Sequence, residues 1–271
     1  MASVFPLAWI TGRIAPGAEV VHLGQRGVDP HDLELTPGEA QALTTADVVV
    51  YLGPVGFQPQ VEQAVDDSSG QVVSVVEAVD GDRLLPASDA DGGAPDDLAV
   101  DPHVWFDPTL MAEAASAVGD AFASAEPGDA DAFRVRAAEV RDELLALGDE
   151  LDDTLGDCEQ DEALVSHEAY AYLLRPRGLD QLGIAGNEPE AGASPARLAE
   201  LVEEVERRGI RAVLAEPVEG RADAEALARE AGVELLEIDP LEVVSPADYE
   251  RGYPSLLREQ AERFARALDC R

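Results

Sequence analysis

The chain has 271 residues, enough for one large domain or two of ordinary size, and its 46% hydrophobic content supports a packed core. Acidic side chains number 56 against 19 basic ones, a formal net charge of −37, and every base is Arg. Such a surface repels nucleic acid and anionic headgroups, and because the acids occur in every segment they read as a halophilic acidic surface whose self-repulsion salt screens. No stretch approaches the ~20 apolar residues of a membrane span, and Met1-Ala2-Ser3-Val4-Phe5-Pro6 shows neither the basic nor the apolar part of an export signal. Two widely separated cysteines, Cys158 and Cys270, form no Cys-x-x-Cys, which excludes a zinc ribbon or a thioredoxin motif. A bridge pinning the C-terminus and two free buried thiols are equally compatible with them.

In chain order, Ser3 to Ala8 reads as a strand passing into a helix through Trp9 and Ile14. Val20-Val21-His22-Leu23 reads as a short strand with His22 as a structural histidine, and Gly24 to Asp29 as loop. Asp29-Pro30-His31-Asp32 follows, then Thr36-Pro37-Gly38-Glu39, a capping box with Pro at the first helical position. His31 therefore lies in a strand-to-helix loop. Ala46 to Gly53 is a nearly unbroken apolar run, as expected of a parallel strand covered on both faces, and Gln71 to Val79 is another. Asp80 to Ala99 is an acidic loop by composition. It closes with a second triplet, Asp101-Pro102-His103, ahead of a helix start at Asp107-Pro108.

Met111 to Ala125 is a helix, stopped by Glu126-Pro127-Gly128. The next carries Phe133, Ala137, Val140, Leu144, Leu147, Leu151 and Leu155 on one face, about 25 residues or ~38 Å at 1.5 Å per residue. It divides the chain into an N-terminal α/β lobe at 1–127, a linker helix at 128–156 and a C-terminal α/β lobe at 157–271. In the last, strands at Ala163–Val165, Arg211–Leu214 and Val233–Ile238 alternate with helices. The helices are Glu168–Leu174, one capped by Ser194-Pro195 with Leu198, Leu201, Val202 and Val205 on a stripe, Arg221–Ala231, and a final one from Ser245-Pro246 to about Leu268. Repeated βα units predict an α/β fold of two Rossmann-like lobes with parallel sheets, joined by one long rigid helix.

Open α/β sheets bind ligands beyond the carboxyl ends of their strands. His167 follows one strand tip and Asp239 another, while His31 and His103 occupy strand-to-helix loops. His167-Glu168 opens like the zinc-protease motif His-Glu-x-x-His, but Ala171 stands where the second histidine belongs, so partners must come from elsewhere. Three imidazoles and a carboxylate suit a tetrahedral zinc ion, and four protein ligands leave no open position for an activated water. The residues thus point to a metal binder rather than an enzyme, with His31, His103, His167 and Asp239 as ligands in the cleft between the lobes. Glu216, at another strand tip, is the alternative fourth ligand, and Glu168 belongs to a helix's first turn. Two further readings are a zinc-dependent hydrolase with Glu168 or Glu216 as base, and a binder of a metal chelate or small organic ligand.

Gly27-Val28-Asp29-Pro30-His31-Asp32-Leu33-Glu34-Leu35-Thr36-Pro37, Asp101-Pro102-His103-Val104-Trp105-Phe106-Asp107-Pro108, Ser166-His167-Glu168-Ala169-Tyr170-Ala171-Tyr172 and Asp239-Pro240-Leu241 resemble, in order and spacing, the solute-binding proteins of zinc/manganese ABC transporters. The likeness runs from Phe5-Pro6-Leu7 to the last helix. It implies two lobes joined by a rigid helix, metal ligands at His31, His103, His167 and Asp239, and delivery of the ion to a membrane permease. Manganese-selective members carry Glu at the third position; His167 favours Zn²⁺, with Mn²⁺ as the alternative. The resemblance also implies an extracytoplasmic, membrane-anchored protein, expected here as a monomer, and the family's export signal and lipid-anchor cysteine, not seen in this chain, are attributed to a trimmed or mis-started N-terminus. The loop before Asp101 lacks the histidines of many zinc members, and Gly56-Phe57-Gln58 replaces their Gly-Phe-Glu or Gly-Leu-Glu.

Overall fold

The computed structural model describes residues 1–24, 30–87, 100–185, 193–217 and 220–271. The expected loops at Gly24 to Asp29 and Asp80 to Ala99 therefore fall largely outside the described residues. By contact the chain divides into two units, each built from three stretches: Met1–Leu84, Asp107–Gly148 and Leu241–Leu256 in the first, Leu85–Phe106, Asp149–Pro240 and Leu257–Arg271 in the second. The sequence had suggested consecutive lobes at 1–127 and 157–271.

In the first unit, helix α1 (Phe5–Ile14) begins where a strand was expected. Pro6 in its first turn supplies a preset helical φ, and a helix that is apolar nearly all round is stable only when buried, as this one is. Val20 to Leu23 contributes one bridge, His22 to Ala2, rather than a strand. Helix α2 (Pro37–Thr45) carries the anticipated capping box, Thr36 accepting from the Glu39 N–H while Glu39 accepts from the Thr36 N–H. Strand β1 (Val48–Tyr51) is buried throughout, and after α3 (Pro59–Val65) it pairs in parallel with β2 (Gln71–Ser74), Val49 opposite Val72. The apolar run beyond Ser74 turns into a short helix α4 (Val75–Ala78). Helix α5 (Pro108–Ala125) starts on Asp107, whose carboxylate accepts from the Thr109 and Leu110 N–H groups. Helix α6 (Ala130–Leu155) buries all seven stripe residues from Phe133 to Leu155, and it passes out of the first unit after Gly148.

The second unit holds a four-stranded parallel sheet of order β4-β3-β5-β6, made of β3 (Glu162–Val165), β4 (Asp180–Gly183), β5 (Ala212–Ala215) and β6 (Glu234–Glu237). A short α7 (Ala171–Leu174) precedes β4, while α8 (Pro195–Arg208) and α9 (Arg221–Ala231) cover the sheet through Leu201, Val205, Ala224 and Leu227, packed on Leu164 and Val213. The expected final helix is two helices, α10 (Pro246–Arg251) and α11 (Tyr253–Ala267). Gly252 separates them at φ +81°, a conformation only glycine takes without strain, and Pro254 cannot donate to the preceding turn. Cys158 and Cys270 are joined as a disulfide that ties the C-terminus to the end of α6.

Candidate metal centre

Two histidines meet in the second unit. His103 is fully buried, held by a tight turn: Asp101 Oδ1 accepts from the His103 backbone N–H (3.0 Å) and lies 2.8 Å from ring Nδ1. The turn is fixed in its turn by Tyr172, whose hydroxyl donates to the Asp101 carbonyl and accepts from the Leu85 N–H. Trp105 packs edge-on against the His103 ring and donates its indole N–H to the Pro240 carbonyl at 2.8 Å. His167 follows β3 as the strand-tip argument required, 1% exposed, with Nδ1 at 2.6 Å from Glu216 Oε1. The two Nε2 atoms face each other at 3.3 Å. A carboxylate can only accept, so the Nδ1 contacts favour a proton on that nitrogen, and in the neutral ring this leaves the Nε2 lone pair facing the space between the rings.

In the first unit, His31 sits on the single 3₁₀ turn Pro30–Asp32, its ring edge-on to buried Phe57 with centroids 4.3 Å apart. Phe57 belongs to the Gly56-Phe57-Gln58 segment, where Gly56 has φ +82° and Gln58 Nε2 donates to the Ser3 carbonyl. His31 Nε2 lies 3.9 Å from Glu242 Oε1, and Glu242 is 5% exposed. The chain reaches Glu242 through Leu241, which holds φ +61°, a left-handed conformation uncommon for a branched apolar residue and concentrated at functional sites. The Glu242 carbonyl accepts from the Phe5 N–H, anchoring the segment on α1. His22, next to this segment, has its pKa lowered to about 4 by burial, against a partly offsetting backbone hydrogen bond with Glu242.

Each residue expected at the site can now be placed. His103 and His167 are brought together; His31 is paired with Glu242, a carboxylate that sequence reasoning passed over. Asp239 stands three positions earlier, half-buried, its backbone N–H donating to Gln260 Oε1 at 2.9 Å. Glu216 stands at the Nδ1 edge of the His167 ring, opposite the Nε2 that faces His103. Glu168 precedes α7 instead of opening it, and its Oε1 accepts from the Gly183 N–H at 3.0 Å at the end of β4. The missed signal for Glu242 is the run Asp-Pro-Leu-Glu itself, a second acid within one turn of the strand tip.

A family model described as zinc-uptake complex component A, periplasmic (ZnuA), matches residues 1–267. The chain is 27% identical over 278 residues to the zinc-binding lipoprotein AdcA of Streptococcus pneumoniae, covering 99% of this chain and 55% of that protein. It is 31% identical over 218 residues to the manganese-binding lipoprotein MntA of Bacillus subtilis, covering 76% of this chain and 69% of that protein. The chain spans about half the length of the AdcA proteins it matches. Among solved structures, the Zn(II)-bound ZnuA-like domain of S. pneumoniae AdcA superposes with a TM-score of 0.80 at 26% identity, covering 99% of this chain and 97% of that one. The periplasmic zinc-binding protein TroA from Treponema pallidum shares the fold, with a TM-score of 0.86 at 23% identity over 98% of this chain and 97% of that one.

Proposed function

Since the chain belongs to the ZnuA family, the periplasmic component A of zinc-uptake complexes, we propose that it captures a divalent transition metal outside the cytoplasm and hands it to an ABC transporter permease. The ion is cargo, Zn²⁺ in preference to Mn²⁺. A single observation carries the reading: the Nε2 atoms of His103 and His167 stand 3.3 Å apart with both Nδ1 positions engaged by carboxylates. Two ligand atoms bound to one tetrahedral ion at about 2.0–2.1 Å are separated by roughly 3.3–3.4 Å. We take His31 and Glu242, whose Nε2 and Oε1 lie 3.9 Å apart, as the second pair of donors, a choice that gives three imidazoles and one carboxylate. Imidazole-rich sets suit Zn²⁺, whereas Mn²⁺ is better served by oxygen ligands.

Four protein donors fill a tetrahedral shell, so the arrangement serves binding and release rather than activation of a water. Both carboxylates considered as a hydrolytic base are otherwise engaged, Glu168 with the Gly183 N–H and Glu216 with His167 Nδ1. The Cys158–Cys270 disulfide fits an oxidising compartment outside the cytoplasm, and membrane anchoring and an acidic surface adapted to high salt belong to the same proposal.

The experiment is metal analysis of protein purified without chelator, followed by Zn²⁺ titration of wild type, Glu242→Gln and Asp239→Asn. Wild type is expected to take up about one ion per chain, with Glu242→Gln weakening Zn²⁺ at least ~tenfold and Asp239→Asn leaving it near wild type. Uptake below about half an equivalent by wild type would overturn metal capture. The reverse order of the two variants would return the fourth position to Asp239, the carboxylate expected from the sequence.

A further inference from the structure

Of the two carboxylates behind the histidines, Asp101 is local, two residues from His103 and bonded to its backbone as well as its ring. Any Asp-x-His turn can make that contact. Glu216 is different: it comes from the tip of β5, separated by 49 positions from the ring it meets. It is 3% exposed, and removing a carboxylate from water is unfavourable unless its oxygens are satisfied. Here a single oxygen, Oε1, accepts from His167 Nδ1 at 2.6 Å and from the Tyr170 hydroxyl at 2.9 Å. The Glu216 backbone N–H donates to Ser166 Oγ, so both ends of the residue are tied to the His167 turn. Tyr170 is itself fully buried, its ring pinned between Phe106 and Phe264 at centroid distances of 4.9 and 5.1 Å. The result is a relay, Tyr170 to Glu216 to His167, each member fixed by packing and ending on the ring nitrogen opposite the one offered to an ion.

Resting on the metal-capture reading, we infer that Glu216, oriented by Tyr170, is a positioning residue for the cargo ion. Its carboxylate holds His167 in the tautomer protonated at Nδ1 and makes Nε2 a stronger donor. It touches no metal, and it acts through the ring between them. Partners of this kind behind a ligating histidine alter metal affinity by about 10–100-fold. Because Glu216 lies behind His167 only, its removal weakens one of the three imidazoles and leaves the tautomer of His103 to Asp101.

The test is a Zn²⁺ titration against a competing chromophoric chelator for wild type, Glu216→Gln and Tyr170→Phe. It is accompanied by imidazole ¹⁵N spectra and thermal unfolding of the metal-free proteins. Glu216→Gln is expected to weaken Zn²⁺ about 10–100-fold, to mix the two His167 tautomers and to leave the metal-free unfolding temperature unchanged or raised. Tyr170→Phe deletes one hydroxyl and keeps the ring packing, so a smaller, severalfold loss is expected, and this variant decides the matter if Glu216→Gln does not fold. Wild-type affinity in both variants would overturn the inference. So would a loss matched by a lower unfolding temperature with the His167 tautomer unchanged, since that is the signature of a purely structural network. Wild type failing to bind Zn²⁺ would instead sink the capture reading on which the inference rests.

Discussion

Under the proposed metal capture, position 167 is where donor chemistry would decide between Zn²⁺ and Mn²⁺. Replacing the imidazole by a carboxylate, His167→Glu, raises the share of oxygen donors and places a negative charge beside Glu216, so Zn²⁺ affinity falls more than Mn²⁺ affinity. The readout is the ratio of the two dissociation constants, expected to move toward Mn²⁺ by at least about tenfold; an unchanged ratio would show that this position does not set selectivity. His22 supplies a pH prediction. Burial lowers its pKa from 6.5 to about 4, so the unfolded chain binds a proton that the folded chain refuses throughout that interval. Stability is full above pH 6.5, declines as pH falls toward 4, and levels off below it as far as this residue is concerned. Urea unfolding of metal-free His22→Gln is expected to show a shallower decline across that window than wild type, and parallel curves would count against the assignment. At this scale the sequence singled out His31, His103 and His167 because strand tips and βα loops select few positions, and the structure sets His103 against His167 and His31 beside Glu242. It chose Asp239, with Glu216 as the alternative, because both stand at strand tips, and it did not weigh Glu242, three positions beyond Asp239. The left-handed turn at Leu241 is a tertiary outcome that no local propensity announces.

Two helical glycines make opposite predictions from the same chemistry. Gly119 in α5 faces α6 so closely that an added Cβ would lie 2.4 Å from that of Ala137, and Gly119→Ala is expected to destabilise by about 1–3 kcal/mol through overpacking. At Gly148 in α6 the nearest atom to an added Cβ, Thr109 Cγ2, is at an ordinary 3.9 Å. Gly148→Ala should therefore stabilise by about 0.5–1 kcal/mol by restricting the unfolded chain. Denaturant midpoints of the two variants check the signs, and a shared sign would refute the packing argument. Helix α6 was legible because its stripe of seven apolar residues is long and recurs every three or four positions. Strand β4 was not: Asp180-Gln181-Leu182-Gly183 has little β propensity and takes its place as an edge strand through pairing with β3. The break between α10 and α11 was hidden for a related reason. Gly252 and Pro254 are visible in the sequence, but the φ of +81° and the indole of Trp9, 2.8 Å from where a Cβ at Gly252 would stand, which together leave that position to glycine, are not.

For the molecule as a whole, alternating βα units made the fold class readable. The exchange of segments between units did not show, since a stretch such as Leu241–Leu256 joins the first unit by contacts far back in sequence, such as Phe5 with Glu242. Charge is the property that composition alone predicts at this scale. With a formal −37, the folded chain concentrates like charge that the unfolded chain disperses, so self-repulsion favours unfolding. Against this stand surface pairs such as Arg134–Asp120 and Arg221–Glu225, which salt also screens, but each is worth only about 0–1 kcal/mol. Raising KCl from about 0.1 to 1 M shortens the Debye length from about 10 to 3 Å, and with acids outnumbering bases the screened repulsion outweighs the screened pairs. The unfolding temperature of the metal-free protein should therefore rise with KCl at pH 7. A general salting effect would act at any pH, whereas screening requires ionised carboxylates. The increment should accordingly shrink near pH 4, where ordinary carboxylates are about half protonated. A flat or falling unfolding temperature at pH 7, or an equal rise at both pH values, would remove the high-salt reading of the surface and leave the metal centre untouched.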